Sequence, residues 1–268
     1  MADQPAIVRH QILKHELWSE REIPHRDEFA REIKKANAYV QDLLPQPIAE
    51  GPIQAEWSFQ PCSKLGGDAF GYGSLNDNEF LVYMIDVSGH GAGAAMHSVA
   101  VMNLLRQRAV PGANMSEPTQ VLSALNAMFQ MDDHAGMCFT MWYGVFNRTT
   151  RELRFSTAGH HPAFLLTGED PIPLRARGGV IGADPGTVYR SGQFLVPPEA
   201  DFYLFSDGVF EIVTKEGVEW RLDDFLRLLP GPKSDELSET AGLFAQVRSL
   251  ARAGGPDDDF SLLLMRFQ

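Results

Sequence analysis

Carboxylates placed where apolar runs begin or end are the residues of this sequence best suited to chemistry. Asp86 follows Phe80-Leu81-Val82-Tyr83-Met84-Ile85 and opens Asp86-Val87-Ser88-Gly89-His90-Gly91. Asp207 stands two residues after Phe202-Tyr203-Leu204-Phe205, within Ser206-Asp207-Gly208. Asp258, in the triplet Asp257-Asp258-Asp259, comes just before Phe260-Ser261-Leu262-Leu263-Leu264-Met265, and Asp68 closes Gly66-Gly67-Asp68. A carboxylate at the end of a core strand is rigidly aimed yet still meets water. Several converging there would repel one another unless cations neutralised them. An all-oxygen donor set suits hard ions such as Mg²⁺ or Mn²⁺. The pattern points to a two-metal hydrolase. A single Asp-Gly pair would mean only a turn, because Asp bonds its own backbone and tolerates the left-handed region. The inference rests on the recurrence of one strand-and-glycine arrangement.

Other motifs carry less. Gly89-His90-Gly91-Ala92-Gly93-Ala94 has the form of a dinucleotide fingerprint. Asp86 precedes it, where its charge would oppose a pyrophosphate, and the ribose-binding acid about 20 residues on is missing. Those small residues are better explained by a helix passing close to a strand end. The sequence has no G-x-x-x-x-G-K-[ST] loop, no H-E-x-x-H and no G-x-S-x-G elbow, so P-loop, zincin and serine-nucleophile chemistry lack support. His160-His161 sits among Gly and Pro and reads as a loop first and as metal ligands second. His90, on the same turn as Asp86, is a candidate general acid, with a structural hydrogen bond to the turn as the alternative.

These residues need a scaffold of strands, and the sequence supplies one. Ile53, Ala55, Trp57 and Phe59 alternate with polar residues, as in a half-buried strand. Further strands are expected over 79–87, 138–146, 152–157, 163–167, 193–196, 201–205 and 259–267. Helices are expected over 92–108, 117–131, 222–229 and 235–252. Strand groups and helix groups segregate, which favours α+β layering over a doubly wound sheet. A further helix is predicted from about 26 to 44, where Phe29, Ile33, Ala36, Val40 and Leu43 form one stripe and Pro45 and Pro47 close the end. That stripe could pack on its own domain or on a second copy of the chain. A short helix around Ile7 to Trp18 is also possible.

Composition mainly excludes. A length of 268 residues with 44% hydrophobic content supports one large core, or a domain with an appendage. A net charge of −12 argues against a nucleic-acid backbone as partner. Cys62 and Cys138 are the only cysteines, too few for a disulfide framework or a thiolate zinc site. No apolar run is long enough to span a membrane. Met1-Ala2-Asp3-Gln4 lacks the features of a signal peptide. A cytoplasmic protein is the expectation.

Taken in order, the motifs resemble the PPM-type metal-dependent protein serine/threonine phosphatases, in their bacterial SpoIIE-like branch. The resemblance rests on Lys64-Leu65-Gly66-Gly67-Asp68, the Ile85–Gly91 segment, Ala158-Gly159-His160-His161-Pro162, the Phe205–Glu211 segment and Asp258-Asp259-Phe260-Ser261-Leu262, with Gly178-Gly179-Val180-Ile181-Gly182 as a glycine loop. It implies a four-layer α-β-β-α sandwich over 51–268, preceded by an N-terminal segment and regulatory linker helix over 1–50. It also implies two Mn²⁺ or Mg²⁺ ions. Asp86 would bridge them, with the Val87 carbonyl as a further ligand; Asp207 and Asp258 would hold one ion and Asp68 the other. The triplet leaves Asp259 open as an alternative to Asp258. Lys64 is a candidate for gripping the phosphate. A water activated by both ions would attack phosphoserine or phosphothreonine. The implied substrate is a phosphorylated regulatory protein such as an anti-sigma-factor antagonist, with control by a partner or homodimer through the 26–44 helix. A catalytically idle binding module and a small-molecule phosphodiesterase are the rival readings. Where this branch often has a bulky aromatic and then an acidic residue after Gly-Gly-Asp, this chain has Ala69, Phe70 and Gly71, a departure expected to reshape the substrate rim.

Overall fold

Two continuous apolar runs, 202–205 and 262–265, build the centre of the molecule by sending alternate side chains to opposite faces. In the computed structural model, which describes residues 28–62, 65–168, 170–232, 236–252 and 258–268, the strands are β1 (Ile53–Gln60), β2 (Asp68–Ser74), β3 (Glu79–Val87), β4 (Phe139–Asn147), β5 (Glu152–Ala158), β6 (Ala163–Leu166), β7 (Ile172–Leu174), β8 (Gly192–Leu195), β9 (Ala200–Phe205) and β10 (Phe260–Phe267). They form two antiparallel sheets of order β1-β10-β9-β6-β7 and β2-β3-β4-β5-β8. Phe202 and Leu204 of β9, with Leu263, Met265 and Phe267 of β10, join one apolar cluster together with the second sheet. Tyr203, Phe205, Phe260, Leu262 and Leu264 join another. A strand buried on both faces has no polar positions to show, which explains the unbroken runs.

Helices cover the outer faces. Helix α1 occupies 28–43 of the described residues. Helices α2 (Ala92–Arg106) and α3 (Pro118–Met128) lie on the second sheet, against β2 and β3 and against β4 and β5. On the first sheet, α4 (Leu222–Leu226) and α5 (Glu239–Leu250) contribute Phe225, Leu243 and Val247 to the second cluster. The result is the expected four-layer α-β-β-α sandwich. Among the described residues no helix is long and apolar enough to cross a membrane. The possible helix at 7–18 lies outside the described residues.

Strand β2 was not foreseen. Asp-Ala-Phe-Gly-Tyr-Gly-Ser reads locally as a turn, yet it pairs along its whole length with β3, Asp68 against Asp86 and Gly71 against Tyr83. The Tyr83 ring fills the space above Gly71, so that any Cβ there would collide with it. Ala69, Phe70 and Gly71 are all buried, and Phe70 packs edge-on against Trp57 and Phe59. The departure from the usual Gly-Gly-Asp sequel therefore alters the core and not an exposed rim. Burial of helix α1 is greatest at its C-terminal end: Val40, and Leu44 just beyond it, are buried, while Phe29 is 69% exposed. Beyond it, the Trp57 indole N–H donates to the Pro45 carbonyl at 2.9 Å and the Tyr72 hydroxyl to that of Gln46 at 2.8 Å.

Candidate active site

Antiparallel pairing gathers one end of every central strand at one end of the sandwich. In the second sheet, Asp68 starts β2 opposite Asp86 near the end of β3, and Asp86 faces Thr140 near the start of β4. In the first sheet, β9 ends at Phe205 beside Leu262, and Asp207 opens a single 3₁₀ turn just beyond. The start of β10 meets the end of β1, so Asp258 and Asp259 enter at that same end.

Local bonds explain how each carboxylate is held. Asp68 is buried and accepts a hydrogen bond from the Ser261 hydroxyl at 2.6 Å. Asp259 is also buried, and its two oxygens accept from the Cys62 N–H at 2.7 Å and the Asp68 N–H at 3.2 Å. Asp259 thus ties the chain around β1 and β2 onto β10. Gly66 lies against this carboxylate so closely that a Cβ would overlap it. Asp258 is exposed, and one of its oxygens accepts from the Asp259 N–H at 2.8 Å. The neighbours therefore divide: Asp259 faces inward on backbone donors and Asp258 faces water. Val87 donates its N–H to the Gly67 carbonyl at 3.3 Å.

The carboxylates act strongly on one another. Burial, then the charges of Asp207, Asp258, Asp259 and Glu211, pushes Asp86 up to about 7. Burial, then Asp258 and Glu211, pushes Asp207 up to about 6. Asp68 is held well above the ordinary carboxylate range by burial and then by Asp86 and Asp259. Asp86 comes from one sheet and Asp207, Asp258 and Asp259 from the other, so the repulsion crosses the sandwich. Among the described residues no three His, Cys, Asp or Glu side chains close into a ready ligand cage. The donor chemistry nonetheless fits a hard divalent cation, which would relieve this mutual repulsion and accept carboxylate oxygens. Glu211 joins the group without having been singled out from the sequence. Its spacing of four from Asp207, across a single turn, was the available signal. Ser261 was likewise missed, because nothing local links it to Asp68.

The remaining predicted residues are more scattered. His90 is exposed on the turn after β3, between Gly89 at φ +83° and Gly91 at φ +103°, where glycine accommodates the left-handed region. The Gly91 N–H donates to the Leu65 carbonyl at 2.6 Å. Lys64 lies outside the described residues. His160 and His161 form the loop between β5 and β6, as expected, at the same end as the aspartates; their Nδ1 atoms approach the carbonyls of His161 and Pro162 at 2.8 and 3.1 Å. Burial holds His160 well below the usual imidazole range and His161 down at about 4.

Comparison with known proteins agrees with this arrangement. The chain is 24% identical over 187 residues to phosphoserine phosphatase RsbP of Bacillus subtilis (strain 168), covering 68% of this chain and 45% of that protein. It is 28% identical over 166 residues to phosphoserine phosphatase RsbU of the same organism, covering 61% of this chain and 48% of that protein. The chain thus spans about half the length of these relatives. Among solved structures, the SiaA-PP2C domain of Pseudomonas aeruginosa superposes with a TM-score of 0.76 at 20% identity, over 91% of this chain and 99% of that one. The PP2C phosphatase domain of SpoIIE from Bacillus subtilis, with a fragment of its regulatory domain, gives 0.66 at 18% identity, over 82% and 64%. Both share the fold. Residues 76–268 match the family described as Stage II sporulation protein E, a stretch that begins after Asp68 and takes in Asp86, Asp207 and Asp258. With most of its length inside that match, the chain belongs to the SpoIIE family.

Proposed function

We propose that this chain is a metal-dependent phosphatase that removes phosphate from serine or threonine of a phosphorylated regulatory protein in sigma-factor control. The observation that carries the reading is the convergence of carboxylates from two sheets, Asp68 and Asp86 from one and Asp207 and Asp258 from the other, at one end of a SpoIIE-family sandwich. The names of RsbP and RsbU, both phosphoserine phosphatases, support the substrate class. Asp68, Asp86, the Val87 carbonyl, Asp207 and Asp258 would hold two Mn²⁺ or Mg²⁺ ions. When bound, such ions lower the pKa of a water and stabilise charge on phosphoryl oxygens.

The chain's own residues do the rest. Ser261 fixes the Asp68 carboxylate, and Asp259 anchors the backbone beneath it. His90 is assigned the proton that the departing serine or threonine oxygen takes up, and Lys64 a contact to the phosphate. The segment before about residue 51, including α1, is assigned to control by a partner or by a second copy, and the following 51–268 to catalysis.

Hydrolysis of a phosphoserine peptide and of an aryl phosphate, with and without Mn²⁺, tests the reading. Turnover should require the metal and fall about 100-fold or more in Asp86→Asn, the scale of losing a principal charge-stabilising group. No turnover by the wild type, together with no Mn²⁺ binding by calorimetry, would make the chain a phosphoprotein-binding module instead.

A further inference from the structure

A cavity of about 490 Å³ is lined by Thr157, His160, Pro162, Arg175, Ala176 and Arg177. Topology places it at the aspartate end of the sandwich. Leu174, the last residue of β7, pairs with Ala163, the first of β6, and β6 runs antiparallel to β9, which ends at Phe205. Arg175 therefore leaves its strand at the end where Asp207 begins its turn. On the other sheet, the Met141–Gly159 bridge sets the loop carrying His160 close to the Asp86–Thr140 pair.

The two arginines differ from most others among the described residues. Arg154 is paired with Glu79 and Glu117, and Arg266 with Glu56, Asp201 and Glu239. Arg175 and Arg177 are exposed, and neither guanidinium has an ion pair or hydrogen bond among the described residues. Their backbone is nevertheless fixed. The Thr157 hydroxyl donates to the Ala176 carbonyl at 3.1 Å, the Arg190 N–H to that of Arg177 at 2.8 Å, and the Gly159 N–H to that of Gly178 at 3.0 Å. Gly178 permits this approach, since a Cβ there would overlap the Thr157 carbonyl and the Tyr189 ring. His160 is buried, and its Nε2 has no hydrogen-bond partner among the described residues. Its Nδ1 faces the His161 carbonyl at 2.8 Å and so carries the proton, which leaves Nε2 a lone pair that can accept a hydrogen bond.

Resting on the phosphatase reading above, the geometry points to a substrate subsite: Arg175 and Arg177 bind an acidic stretch flanking the phosphoserine of the protein substrate. Guanidinium groups match carboxylates in bidentate geometry. The chain as a whole carries −12 and repels an acidic partner at long range, so two cations without an ion pair among the described residues, at the aspartate end of the sandwich, would decide where such a partner can approach.

The test uses phosphoserine peptides with Mn²⁺ at low ionic strength. Three Glu residues are placed before the phosphoserine, after it, or replaced by Gln or Lys. The wild type should favour one of the Glu peptides over its Gln counterpart by about tenfold in kcat/KM, mostly through KM. The preference should vanish near 1 M salt, where the screening length is about 3 Å. It should also vanish in Arg175→Ala/Arg177→Ala and invert toward the Lys peptide in Arg175→Glu/Arg177→Glu. Equal turnover of all peptides by the wild type, or a preference that survives the double variant, overturns the subsite while leaving the phosphatase reading intact. Metal-dependent turnover of none of the peptides overturns both.

Discussion

Asp258 and Asp259 are adjacent in sequence and opposite in surroundings, and that contrast makes their roles separable. Asp259 spends its oxygens on the N–H groups of Cys62 and Asp68. Removing the carboxylate would strand buried donors at a cost of about 1–3 kcal/mol each. Asp258 faces water, and its charge reaches Asp86 and Asp207. Asp259→Ala should therefore lower the midpoint of urea unfolding strongly. Asp258→Ala, which removes the acceptor of only the Asp259 N–H, should lower that midpoint much less while Mn²⁺-dependent turnover collapses. The reverse pattern would exchange the two assignments. The triplet alone could not resolve this, because three identical side chains carry no information about which one the backbone turns inward. The strand that follows fixes the phase, and its pairing with β1 and β9 is long-range. Asp86 and Asp207, by contrast, were legible because each follows an apolar run long enough to be a strand by itself.

At the scale of elements, the joint between the two sheets is made by Gly66 and Gly67. A Cβ on Gly66 would overlap the Asp259 carboxylate, and one on Gly67 would press on the Val87 carbonyl. Neither glycine is needed for a left-handed turn; both are needed for proximity. Gly66→Ala should destabilise by about 1–3 kcal/mol, as overpacking does. It should also raise hydrogen exchange at the Asp68 and Cys62 amides, which lose the carboxylate that orders them. Unchanged protection at both amides would show that the contact relaxes freely. Most strands and helices could be read from hydrophobic period, since β1, β3, β9 and β10 and helices α2, α3 and α5 follow their patterns. Strand β2 could not. Its glycines and its aspartate favour a turn locally, and only pairing with β3 makes it a strand. The stripe of the N-terminal helix was legible as well, but the sequence did not tell which end would dock. The structure seats Val40 and Leu44 and leaves Phe29 exposed.

For the whole molecule, the site joins two separately packed layers through mutually repelling charges, so folding and metal binding are linked. Asp86 and Asp207 are raised from 3.8 to about 7 and about 6. Between the unfolded and folded values the native chain binds more protons than the unfolded one. Their contribution is fully present below about pH 4 and is lost as pH rises toward 7. The metal-free protein should therefore become less stable from pH 5 to pH 8, with a fall in Tm on the order of 5 °C. Asp86→Asn should flatten that slope. Mn²⁺ should act oppositely at pH 8, adding about 2.7 kcal/mol when present at 100 times its Kd. A metal-free Tm that is level over this range, in wild type and variant alike, would contradict the raised values that burial and the neighbouring carboxylates give Asp86 and Asp207. The sequence announced the acidic balance of the chain, but not that its carboxylates would meet from different sheets.

The Tyr83 ring over Gly71 has a historical consequence. A side chain at position 71 meets a filled space, whereas trimming position 83 first only leaves a hole. Descent from an ancestor bearing a larger residue at 71, or return to one, is passable in one order only: the aromatic must arrive last and leave first. Comparisons across lineages should then find small residues at both positions together as the intermediate stage, and a bulky pair at neither end of the path.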